Sequence, residues 1–66
     1  MPPLHDEICV GDSISALGLT FEVAKIMYQD FYGGQWDVEF LDPNGGYHHW
    51  KSEFDGGHVI PNGGEN

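Results

Sequence analysis

The chain has 66 residues, room for one domain, and a domain of that size buries only about 60% of the surface its unfolded form exposes. Eleven acidic residues stand against Lys25 and Lys51, with no arginine and a formal net charge of -9. That balance argues against neutralising nucleic-acid phosphates or docking on an anionic membrane.

No run approaches the ~20 apolar residues needed to span a bilayer. The first residues lack the basic start and apolar stretch of a secretory signal. Cys9 is the only cysteine, so no intrachain disulfide can form, and a lone thiol suits a reducing compartment. The expectation is a soluble, cytoplasmic protein.

Residues 1–9 read as an N-terminal extension, 10–61 as one folded domain and 62–66 as a flexible tail. No segment sustains apolar residues at helical spacing, whereas several short runs are rich in β-branched and aromatic residues and bounded by Gly, Asp, Asn or Pro. Val10-Gly11-Asp12 reads as a turn into a strand over residues 13–17, with Ile14 and Ala16 on one face. Gly18-Leu19 ends it. Residues 20–28 form the next run, where Phe21 and Val23 share one parity and Ala24, Ile26 and Tyr28 the other, which predicts a bulge or bend near Val23-Ala24.

Residues 29–34 read as a loop. Gln35–Leu41 then alternates cleanly, Trp36, Val38 and Phe40 against Gln35, Asp37 and Glu39. Asp42-Pro43-Asn44-Gly45-Gly46 predicts a hairpin, since Asn-Gly readily supplies the two positive φ angles of a type I′ turn. Tyr47–Lys51 is the return strand. Its register is open: Asn44-Gly45 at the tip pairs Phe40 with His49, and one extra loop residue moves Trp50 to the other face. Residues 52–57 read as a helical turn closed by glycine and His58–Ile60 as a last strand that Pro61 stops.

Five short strands, with a hairpin between the third and fourth and a helical turn before the fifth, resemble the small SH3-like β-barrels, in particular the Tudor-like and KOW-like arrangements. The matching pieces are VGDSISALG (10–18), WDVEFLDPNGG (36–46) and FDGGHVI (54–60). The resemblance implies an all-β, five-stranded SH3-like barrel with one short helical turn before the last strand. It also implies a surface on which loop aromatics beside carboxylates hold a cationic side chain, as Tudor-like domains hold methylated Lys or Arg.

Successive residues of a strand point to opposite faces, so His48 and His49 cannot chelate one ion together. Cys9 lies among Asp6, Glu7 and Asp12, the wrong neighbours for a reactive thiolate, and the carboxylates are scattered. The residues therefore predict no enzyme, no metal and no cofactor. Trp36, Phe40 and Trp50 are the expected core fillers.

The expected function is that of a non-enzymatic interaction module, taking a protein partner, basic by charge complementarity, on a patch of Asp30, Phe31, Tyr32, Tyr47 and His48. Two alternatives are a self-associating barrel that covers its edge strands as a homodimer, and an acidic mimic of nucleic acid directed at a DNA-binding protein.

Overall fold

A computed structural model describes residues 7–62; residues 1–6 of the expected extension and 63–66 of the expected tail lie outside them. The described chain is mostly β. Its elements are β1 (Ser13–Ala16), β2 (Leu19–Glu22), β3 (Lys25–Tyr32), β4 (Gln35–Leu41), β5 (Tyr47–Lys51), a helical turn α1 (Ser52–Asp55) and β6 (His58–Ile60). They form two three-stranded antiparallel sheets, ordered β2-β1-β6 and β3-β4-β5.

The mostly-β class holds, and no closed barrel is found among the described residues. The run over residues 20–28 is divided where the bend was expected. Val23 donates its N–H to Asp12 O on the first sheet's side, and the next residue, Ala24, donates to Leu41 O of the second. Two consecutive amides thus hand the chain from one sheet to the other.

Two hairpins turn on residue pairs with positive φ, Leu17-Gly18 (56° and 79°) and Gly33-Gly34 (63° and 81°), as type I′ geometry requires. The second pair corrects the loop expected over residues 29–34. A two-residue turn leaves Phe31 and Tyr32 inside the ladder, paired with Trp36 and Gln35.

The Asp42–Gly46 turn differs from the expected Asn-Gly type I′ form. Only Gly45 of its glycine-rich tip, among non-proline and proline residues alike, carries a positive φ. Asp42 Oδ1 accepts from the N–H groups of Asn44 and Gly46, each at 2.9 Å. These bonds hold a five-residue loop closed by the Leu41–Tyr47 pair, so Phe40 pairs with His48, Glu39 with His49 and Val38 with Trp50.

The core comprises Ile8, Ile14, Val23, Val38, Phe40 and Trp50, with Ala16, Phe21, Ile26, Trp36 and Val59 packed against it. Ile8 belongs to the segment read as an extension, yet it is 2% exposed. Its backbone is held by the Gln29 side chain, which accepts from Ile8 N–H at 2.8 Å and donates to Ile8 O at 2.9 Å. One amide thereby satisfies both polar groups of a buried residue. Trp50 donates its indole N–H to Gly56 O at 2.8 Å, pinning the last connection over the core.

Candidate functional site

Met27 is an extra residue in β3: the pairing passes from Ile26–Phe40 directly to Tyr28–Glu39. Such a bulge reverses the parity of everything after it. Ile26 faces the core, whereas Tyr28, Asp30 and Tyr32 fall on the opposite, outer face, where all three are exposed. Tyr32 is 82% exposed, the most open aromatic ring among the described residues.

Across the sheet, Asp30 stands directly opposite Asp37, Tyr28 opposite Glu39 and Tyr32 opposite Gln35. On β5 the same face carries Tyr47, His49 and Lys51. Asp37 is drawn towards that strand, with its Oδ1 2.7 Å from His49 Nε2 and its Oδ2 4.0 Å from Lys51 Nζ. Asp30 has no ion pair among the described residues. Partial desolvation, followed by a hydrogen bond to the Glu39 carboxylate, pushes the Tyr47 phenol above its usual value.

The five residues expected to form one patch are divided between two faces. Asp30, Tyr32 and Tyr47 share the outer face. Phe31 turns inward, its ring centroid 4.5 Å from that of Trp36. His48 also turns inward, 4.1 Å from the Phe21 ring and 5.0 Å from Phe40. Its Nε2 lies 2.7 Å from Asp42 Oδ2. That hydrogen bond, then the Gly46 amide, holds the Asp42 carboxyl below its usual value. His48 is thus an inter-sheet packing residue locked by a carboxylate, which removes it from the outer surface.

The two histidines do point to opposite faces, and each has its own carboxylate. Among the described residues no three His, Cys, Asp or Glu side chains gather where they could hold a metal ion. What the outer face presents is carboxylates and aromatic rings: Asp30, Asp37 and Glu39 beside Tyr28, Tyr32 and Tyr47.

Phe31 and Trp36 line a groove of about 880 Å³ between the N-terminal segment, the β3–β4 hairpin and the chain around β6. Ile8, Val10, Val59 and Pro61 supply the rest of its apolar wall, and Glu7 and Asp12 its carboxylates. A smaller recess alongside is lined by Glu7, Gln29, Asp30 and Phe31. Phe31 belongs to both, so the groove meets the outer acidic face at the edge of β3.

Tyr28, Asp37 and Glu39 join the candidate surface through cross-strand register, which no local motif marks. The Gly33-Gly34 pair between two apolar-aromatic runs was the available hairpin signal, and it would have placed Tyr32 and Gln35 side by side. Comparison of the chain with protein-family models, with curated proteins and with solved structures returned no match.

Proposed function

We propose that the chain is a non-enzymatic SH3-like module that captures a lysine- or arginine-rich segment of a partner protein on the outer face of β3-β4-β5. The observation that carries this is the Asp30–Asp37 pair. Like charges directly opposite on a sheet cost stability; here Asp37 is half-buried and drawn towards His49 and Lys51, which leaves the exposed Asp30, flanked along β3 by Tyr28 and Tyr32, without a cation of its own among the described residues. A lysine or arginine laid across the pair would relieve the repulsion and meet the two ring faces, gaining cation–π attraction.

The SH3-like part of the proposal is supported by the connectivity. One broken strand, β2 and β3, serves both sheets, and a helical turn precedes the final strand, which pairs with the first. An overall charge of -9 favours encounter with a cationic segment.

The test is titration of an oligolysine peptide against wild type, Asp30→Asn, Tyr32→Ala and the double variant. Each single change is expected to weaken binding about two- to fivefold, the size of one exposed ion-pair or cation–π contact. Affinity should fall with added salt. Asp30→Asn should at the same time raise thermal stability slightly, since it removes the like-charge pair. Equal affinity of the peptide for wild type and double variant would refute the proposal. A persistent dimer by light scattering with no peptide binding would put self-association in its place.

A further inference from the structure

We infer that the groove beside β3 takes an apolar side chain of the same partner segment, so that the ligand recognised is an extended peptide in which apolar and basic residues alternate. This rests on the basic-partner proposal and adds to it the chemistry of the second subsite.

Three observations select that occupant. The groove wall is apolar, and its aromatic part is the Phe31–Trp36 pair, an open-sided platform for an aliphatic or aromatic side chain. Its carboxylates are Glu7 and Asp12, its other polar side chains include His58, Gln35 and Ser52, and neither Lys25 nor Lys51 lines it, so the lining disfavours an acidic or phosphorylated ligand relative to an apolar one. Finally, the recess shared by Glu7, Asp30 and Phe31 joins the groove to the outer face.

Asp30 and Phe31 are consecutive residues of β3 that point to opposite sides of the sheet. A peptide crossing this edge therefore presents one side chain to Phe31 and a neighbouring one to Asp30. An extended chain alternates its side chains in the same way, so an apolar residue next to a basic one matches the neighbouring Phe31 and Asp30 of the strand it crosses.

The experiment compares two short synthetic peptides of equal charge, one alternating leucine with lysine and one with glycine in place of each leucine, against the wild-type protein. Binding is followed by isothermal titration and by the indole N–H signals in a proton–nitrogen correlation spectrum. The signals are distinguishable because the Trp50 indole is hydrogen-bonded to Gly56 O.

The leucine peptide should bind at least about tenfold more tightly than the glycine peptide and shift the Trp36 indole signal. Phe31→Ala and Val10→Lys should each erase the leucine advantage. Val10 is 63% exposed and outside the strands, so the second variant does not depend on core packing. Equal affinity for the two peptides, or an unmoved Trp36 signal with the leucine peptide bound, overturns the groove assignment while leaving the basic-partner proposal standing. Failure of both peptides to bind overturns both.

Discussion

Gly57 and Gly45 share a φ of +85°, yet their surroundings differ. A Cβ at Gly45 would meet nothing within 4 Å, whereas at Gly57 it would sit 2.0 Å from Ser15 O and 2.8 Å from Ala16 Cβ. Gly45→Ala therefore measures the backbone cost alone, about 1–2 kcal/mol for an L-residue in the left-handed region. Gly57→Ala adds steric conflict with β1, and the backbone must yield by about 1 Å or more to reach ordinary contact.

That movement pulls on β6, which is tied to β1 through Ser13–Ile60, Ile14–Val59 and Ser15–His58. Loss of about two ladder hydrogen bonds at ~1 kcal/mol each and of about 1 kcal/mol of Val59 burial brings the expected total to roughly 4–5 kcal/mol. A domain of this length has about 3–10 kcal/mol of stability in all. Urea unfolding followed by circular dichroism, with a slope of about 1 kcal/mol/M, should show the Gly45→Ala midpoint lowered by about 1–2 M. The Gly57→Ala protein should be largely unfolded or within a short reach of it. Equal midpoints for the two variants would refute the close approach of Gly57 to β1.

Leu17 holds a positive φ at a hairpin tip while 75% exposed, so Leu17→Asn, which gives that turn an Asn-Gly pair, should raise the urea midpoint by an amount equivalent to about 0.5–1 kcal/mol. Gln29→Ala strips both hydrogen bonds from the Ile8 backbone and should cost about 1–3 kcal/mol, with faster amide exchange at Ile8 as the local readout. The Asp42 carboxyl is held below its usual value by His48, so its contribution is full above the ordinary carboxylate range and is lost as pH falls through the depressed value. Melting temperature should accordingly drop below about pH 4, and Asp42→Asn should remove part of that drop. Trp50→Phe both opens a cavity in the core and orphans Gly56 O, for an expected loss of about 2–4 kcal/mol in the same unfolding assay.

The strands were legible where alternation and turn residues agreed. Gln35–Leu41, Tyr47–Lys51 and His58–Ile60 have the bounds that period two and the flanking Gly, Asp and Pro dictate, and the conflict of parity at Val23-Ala24 does mark the passage between sheets. Features that depend on a single side chain finding a distant or irregular partner were not legible. Nothing in Lys25-Ile26-Met27-Tyr28 announces that Met27 is surplus to the ladder. Gln29 looks like a surface residue until Ile8 is known to lie across from it. Asp42 decides the register of β5 by capping its own turn, and the residues of that turn alone are equally compatible with a loop one residue shorter.

Those same features decide the candidate site. With β3 regular through Met27, the residues beyond it would exchange faces: Tyr28, Asp30 and Tyr32 would turn inward and put the Asp30 carboxylate opposite Trp36, while Gln29 and Phe31 would turn out. Burying Asp30 there, unpaired, would cost several kcal/mol, whereas the bulge costs one residue's ladder bonds at about 1 kcal/mol. The bulge is therefore the cheaper solution for this sequence, and it places the aromatic-acidic row in water and Phe31 beside Trp36. The meaning of Asp30, Phe31 and Tyr32 comes from the parity that Met27 imposes: one face for charge, the other for an apolar wall, meeting at a strand edge.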